Sequence, residues 1–134
     1  MSRVALVTGA SRGIGAATAL LLVQQGFRVV VNYRSSAAEA EQVVAASHAA
    51  GGEAIAIRAD VTEPDDVDRM IDETQAKWGR VDVLVHNALI PYDVTSVTDL
   101  SWEQLGGKLE HELHAAFLLT KAVVPEMIRP ALAG

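Results

Sequence analysis

The sequence predicts an α/β fold: a three-layer αβα arrangement with a parallel sheet in the strand order 3-2-1-4. Three observations predict it. Short, almost wholly apolar runs alternate with segments of helical periodicity along all 134 residues. Strands that are apolar on both sides need helices on both faces, which is the habit of parallel sheets. The first apolar run, Val4–Val7, leads directly into closely spaced glycines at Gly9, Gly13 and Gly15. Such a strand-to-helix turn opens the first unit of a doubly wound sheet, and right-handed crossovers then set the strand order.

Behind the glycines, Ile14, Ala17, Thr18, Leu21 and Leu22 recur at helical spacing, and Gly26 closes that helix. Arg28–Tyr33, with Val29-Val30-Val31, reads as a second buried strand. A helix over Ala37–Ala49 follows, with Ala40, Val43, Val44 and Ser47 on one face, and Gly51-Gly52 ends it. Glu53–Arg58 is the third strand. Thr62 reads as the next N-cap, with Pro64 in the first turn and Asp65 returning a bond. That helix carries Val67, Met70, Ile71, Thr74 and Trp78 on one stripe and stops at Gly79.

Val81–His86 is the fourth strand. Ser101 and Gln104 form a capping box for the last helix. Its stripe runs Trp102, Leu105, Leu109, Leu113, Ala116, Phe117, Thr120 and Val124. Gly106-Gly107 weakens it by roughly 1 kcal/mol per glycine, so a break is expected there, and Pro125 and Pro130 are expected to disturb its end. There is no repeat, linker or low-complexity segment, so residues 1–134 read as one domain.

Composition excludes several functions. A net charge of −6 without a basic run disfavours nucleic acid as a partner. The absence of cysteine removes disulfides and thiolate metal sites. Of His48, His86, His111 and His114, only His111 and His114 sit at a spacing that shares a helix face. No His-Glu-x-x-His pattern accompanies them, so no metal is expected. The N-terminal apolar run is too short for a secretory signal or a membrane span, and the expected location is the cytoplasm.

Five segments carry the chemistry. Thr8-Gly9-Ala10-Ser11-Arg12-Gly13-Ile14-Gly15 follows the first strand, and Asn32-Tyr33-Arg34-Ser35 ends the second. Asp60-Val61 follows the third, and His86-Asn87-Ala88-Leu89 closes the fourth. Phe117–Pro125 lies in the last helix. The glycine segment, behind a strand and opening a helix, has the form of a dinucleotide-binding device, though many folds use a glycine-rich loop and the other four segments carry the specificity. Glycines let the backbone approach a pyrophosphate, and the helix N-terminus presents free N–H groups with a partial positive charge. No Lys-Ser/Thr follows the glycines, so a P-loop is disfavoured.

Together these segments resemble the short-chain dehydrogenase/reductase family, most closely its 3-oxoacyl-[acyl carrier protein] reductase members, over nearly the whole chain. The resemblance implies a Rossmann-type domain, incomplete relative to the full family fold. It implies pyrophosphate binding by Gly9, Ser11, Arg12, Gly13, Ile14 and Gly15, adenine contacts from Asp60 and Val61, and ribose contacts from Asn87 and Ala88. His86 and Leu89 depart from the family's Asn-Asn-Ala-Gly, and Leu89 places a side chain where the family leaves room for the cofactor. No carboxylate follows the second strand until Glu39, whereas Arg34, Ser35 and Arg12 offer donors to a 2′-phosphate. NADP is therefore favoured over NAD. The competing readings are a ligand-free tight turn at the glycines, a solvated Arg34, and an Asp60 serving only its loop.

Five residues before Phe117 the family carries an Asn of its proton relay, and this chain carries Glu112. An ionised carboxylate cannot donate, so that role does not carry over intact. The family's chemistry also uses a Ser on the following strand and a Tyr-x-x-x-Lys pair. Neither tyrosine here fits, because Ala37 stands four residues beyond Tyr33 and Ser96 four beyond Tyr92. No catalytic residue is assigned. The reading is an NADP(H)-dependent oxidoreductase acting on carbonyl or alcohol groups, represented by its cofactor-binding half and expected to be inactive alone. The alternatives are a catalytically inactive dinucleotide-binding module and an interaction protein. A fourth strand left at the sheet edge invites pairing with another chain, so a homo-oligomer through Val81–His86 or the last helix is expected.

Overall fold

The first strand, β1 (Val4–Val7), lies between β2 (Arg28–Tyr33) and β4 (Val83–Val85), and β2 in turn pairs with β3 (Glu53–Arg58). All three pairings are parallel, giving the order β3-β2-β1-β4 in a computed structural model that describes residues 2–133. Leu6 stands beside Val30 and Leu84, and Val30 beside Ile55. The helices are α1 (Gly13–Gln24), α2 (Ala37–Ala49), α3 (Pro64–Trp78) and α4 (Trp102–Ala133).

Successive strand residues point to opposite faces, so each apolar run feeds two cores. Ala5, Val7, Val29 and Val31 meet Ala19 and Val23 of α1 and Ala40, Val43 and Val44 of α2. Leu6, Val30 and Ile57 meet Val67, Met70 and Ile71 of α3 and Ala115, Leu119 and Val123 of α4. This two-sided burial explains why the strands lack alternating polarity. The expected order and the two helical layers are both present.

Several local expectations need correction. Helix α1 does not bury the Ile14–Leu21 stripe: Ile14 is 80% exposed and Leu21 57%, while Gly15, Ala19 and Val23 face the sheet. Nearly every residue of α1 is apolar or small, so periodicity gives no direction, and the small side chains win because they let the helix approach closely. Thr62 is not the cap of α3. Glu63 occupies that position in extended conformation without a side-chain bond, and Pro64 opens the helix. Asp66, not Asp65, bonds back, accepting the Asp60 N–H at 2.8 Å.

The fourth strand is shorter than Val81–His86. The Asp82 N–H still donates to the Val4 carbonyl at 2.8 Å, but the Val4 N–H is taken by the Asp82 carboxylate at 2.8 Å instead of a backbone acceptor. That carboxylate also pairs with Arg80, so the regular pairing begins at Val83. Helix α4 is continuous through Gly106-Gly107, Pro125 and Pro130. Tertiary packing of Ala115, Leu119, Val123 and Met127 outweighs the weak local propensity. Its buried face is that set, whereas Trp102, Leu105, Leu109, Leu113, Phe117 and Thr120 of the expected stripe are exposed. Ser101 and Gln104 do form the capping box, with reciprocal bonds of 2.9 and 3.1 Å.

Candidate functional site

A cleft of about 790 Å³ opens at the carboxyl ends of all four strands. The chain reverses its direction of travel across the sheet between β1 and β4, and such switch points are where parallel sheets hold ligands. The loop after β1 forms the middle of the cleft, the loops after β2 and β3 one end, and the segment after β4 the other.

Gly9 and Gly13 both have φ of +59°, in the left-handed region where a side chain is strained. A Cβ on Gly9 would stand 2.7 Å from the Ala88 Cα, so this loop and the segment after β4 touch backbone to backbone. Gly13, by contrast, borders open space within the cleft. Helix α1 begins there, its N-cap residue Arg12 contributes no side-chain bond, and its first turn holds no acidic residue. The first-turn N–H groups, which have no intrahelical acceptor apart from Ala16 bonding back to Arg12, are thus left for an anion.

Of the residues expected to bind cofactor, all but Gly15 line the cleft: Gly9, Ser11, Arg12, Gly13, Ile14, Arg34, Ser35, Asp60, Val61, Asn87 and Ala88. Gly15 is buried behind the loop, where a Cβ would lie 2.4 Å from both Asn87 Nδ2 and the Gly9 carbonyl oxygen. Its glycine character serves the approach of Asn87. That amide donates to the Thr8 and Gly9 carbonyls at 3.1 and 3.0 Å, so it stitches the two loops rather than reaching freely into the cleft. Leu89 borders the cleft with its side chain 72% exposed, which leaves it on the rim instead of filling the interior.

Two supporting residues were invisible to the sequence reading as such. Asn32 is buried at the end of β2. Its Oδ1 accepts the Gly9 N–H at 3.2 Å, and its Nδ2 donates to the Ile57 and Ala59 carbonyls at 3.3 and 3.2 Å. One side chain thereby fixes the loops after β1 and β3 relative to each other. The available signal was a polar residue interrupting an apolar run at a position that faces inward. Thr8, also buried, accepts the Asn87 and Ala88 N–H groups at 2.9 and 3.0 Å through Oγ1.

The far end of the cleft is electrostatically asymmetric. Burial alone would push the Asp60 carboxyl up. Bonds from the Thr62 hydroxyl and N–H, with the charges of Arg34 and Arg58, more than offset that and hold it below its ordinary value. Asp60 is therefore an anion committed to its own loop, and Arg34 and Ser35 stand beside it as donors lining the cleft.

Under α4 lies a smaller cavity of about 120 Å³, bordered by Thr8, Val61, His86, Asn87 and Glu112 among others. His86 is exposed overall, but partial desolvation of its imidazole under α4 lowers its pKa from the ordinary value, and its Nε2 lies 3.2 Å from Thr120 Oγ1. Glu112 is not a free surface carboxylate: it accepts the Ile90 N–H at 3.3 Å and pairs with Lys108. Among the described residues, no three His, Cys, Asp or Glu side chains gather as metal ligands, and no helix is long and apolar enough to cross a membrane.

A family model described as short chain dehydrogenase matches residues 3–133. The chain is 48% identical over 128 residues to a 3-oxoacyl-[acyl-carrier-protein] reductase of Synechocystis, covering 96% of this chain and 51% of the relative. It is 41% identical over 131 residues to the 3-oxoacyl-[acyl-carrier-protein] reductase FabG of Staphylococcus epidermidis, covering 96% and 52%. Among solved structures, a short-chain type dehydrogenase/reductase from Mycobacterium marinum superposes with a TM-score of 0.85 at 34% identity, over 97% of this chain and 52% of that one. The chain spans about half the length of the curated relatives it matches.

Proposed function

The chain belongs to the short-chain dehydrogenase family, and on that premise we propose that it carries the NADP(H)-binding half of an oxidoreductase acting on carbonyl or alcohol groups. The observation that carries the proposal is the cleft's charge pattern. An uncapped helix N-terminus sits at its centre, and Arg34 and Ser35 stand where an NAD site would offer a carboxylate. In this reading Ser11, Arg12, Gly13 and Ile14 hold the pyrophosphate, while Gly9 and Gly15 permit the loop's close packing. Arg34, Ser35 and Arg12 hold the 2′-phosphate, and Val61 and the Asp60 loop border the adenine. Asn87 and Ala88 fix the far wall.

The fit is good for a dinucleotide: the donors are backbone groups and cations, and the cleft is long enough to run from β3 to β4. The nicotinamide, when bound, supplies or accepts the hydride. The residues of this chain bind and orient it. Both relatives are named 3-oxoacyl-[acyl-carrier-protein] reductases, which supports a carbonyl as the group reduced. The 134 residues hold no Tyr-x-x-x-Lys pair, which supports binding without turnover by this chain alone and keeps a non-catalytic dinucleotide-binding module as the second reading.

The exposed apolar stripe of α4, from Trp102 to Phe117, extends about 22 Å at 1.5 Å per residue. It supports self-association through that helix, and the edge strand β4 offers a second route. Calorimetric titration with NADPH, NADH and AMP tests the main reading. Binding in the order NADPH, then NADH, then AMP is expected; NADH binding more tightly than NADPH, or no saturable binding of either, would overturn it.

A further inference from the structure

The segment after β4 leaves the sheet without regular secondary structure, yet it forms the end wall of the cleft through Leu89, Ile90 and Pro91. An irregular segment needs its backbone groups satisfied by something other than a ladder. At Ile90 both are taken by one face of α4. Glu112 Oε1 accepts the Ile90 N–H at 3.3 Å, and Lys108 Nζ donates to the Ile90 carbonyl at 2.5 Å. The two side chains, one helical turn apart, also pair with each other. Lys108 lies 4.6 Å from the ring centroid of Tyr92, two residues further along the same segment.

We propose that Lys108 and Glu112 form a two-point clamp on the Ile90 peptide groups that sets the end wall of the cleft and so positions the second nucleoside of a bound dinucleotide. The proposal rests on the dinucleotide reading above. The physical case is division of labour. A carboxylate only accepts and an ammonium only donates, so neither alone can hold both polar groups of one residue. Placed four apart on a helix, they neutralise each other and present an acceptor and a donor side by side. The Ile90 side chain is meanwhile buried in the core beneath, so the residue is fixed at side chain, N–H and carbonyl together. Lys108 and Glu112 are positioning residues: they touch the wall, and the wall touches the ligand.

Topology separates this effect from general stability. Adenosine 2′,5′-bisphosphate occupies only the end of the cleft bordered by Arg34 and Asp60. NADPH extends past the α1 N-terminus to the Ile90 wall. Titrations of the full chain, Lys108→Met, Glu112→Leu and Glu112→Gln with both ligands read the difference. Lys108→Met and Glu112→Leu are expected to weaken NADPH about tenfold, the scale of one charge-assisted bond, with less than about a twofold change for the bisphosphate. Glu112→Gln keeps an acceptor for the Ile90 N–H and is expected to recover most of the loss. Equal losses for both ligands, or no loss for NADPH, would overturn the clamp.

If the unsubstituted chain bound neither ligand, the dinucleotide reading would fail separately. Hydrogen exchange at the Ile90 amide then decides the clamp by itself. Protection lost in Glu112→Leu and restored in Glu112→Gln is expected; an exchange rate unmoved by Glu112→Leu would contradict it.

Discussion

Gly9 and Gly13 make a matched pair for testing how the cleft is built. Both have φ of +59°, so alanine at either position meets the same backbone strain. That strain is about 1–2 kcal/mol, offset by about 0.4–1 kcal/mol from a less flexible unfolded chain. Gly13→Ala should therefore destabilise by about 1 kcal/mol, since its methyl meets nothing within 4 Å. Gly9→Ala adds a methyl 2.7 Å from the Ala88 Cα and 3.2 Å from the Ala88 nitrogen. Those neighbours are backbone, anchored by Thr8 Oγ1, and cannot swing aside as a side-chain tip can. Overpacking of this kind costs about 1–3 kcal/mol, which brings the total to about 2–4 kcal/mol. Urea unfolding followed by far-ultraviolet circular dichroism measures it. With a slope of about 1–3 kcal/mol/M, the midpoint of Gly9→Ala should fall roughly 1 M below that of Gly13→Ala. Coincident midpoints would show that the loop and the segment after β4 do not make this close contact.

Other consequences follow from single side chains. Arg34→Glu replaces a donor with the carboxylate an NAD site would use, so the NADPH affinity should fall by more than tenfold while NADH binding holds or improves; a parallel loss of both in calorimetry would argue against a 2′-phosphate site. Asn32→Leu removes the bonds to the Gly9 N–H and to the Ile57 and Ala59 carbonyls, and a loss of about 2–3 kcal/mol is expected in urea unfolding, with an effect below about 0.5 kcal/mol refuting its bridging role. His86 is held below its ordinary 6.5 by partial desolvation, so the folded state binds fewer protons than the unfolded one. Its stabilising contribution is complete above 6.5 and is lost as pH falls through the depressed folded value. Urea midpoints should decline in that window, and His86→Gln should flatten the decline; an equal slope in the variant would contradict this. Asp60, lowered from 3.8, titrates in a separate, more acidic window.

The strands and their order were legible because apolar runs flanked by glycine leave few alternatives. The capping box at Ser101 and Gln104 was legible because it is a contact between near neighbours in sequence. Helix faces were harder. In α1 nearly every residue is apolar or small, and in α4 the larger apolar residues, Leu109, Leu113 and Phe117, point outward while Ala115 and Leu119 face the sheet. Periodicity finds a stripe but not what covers it. The chain-crossing contacts were not legible at all. Asn32 to Gly9, Asn87 to Thr8 and Glu112 to Ile90 join residues 22 to 79 positions apart. Glu112 looked like an isolated departure from the family's Asn, because only the folded chain brings Lys108 and Ile90 to it.

The most direct test of the central claim, that the α1 N-terminus is a phosphate cradle within a dinucleotide cleft, is amide chemical-shift mapping of the chain titrated with NADP. The account predicts saturable shifts at Ser11 through Gly15, with Arg34 and Ser35 moving at the same ligand concentrations and the amides of α2 staying still. Unmoved amides at Gly13 and Ile14 in the presence of excess NADP would contradict it.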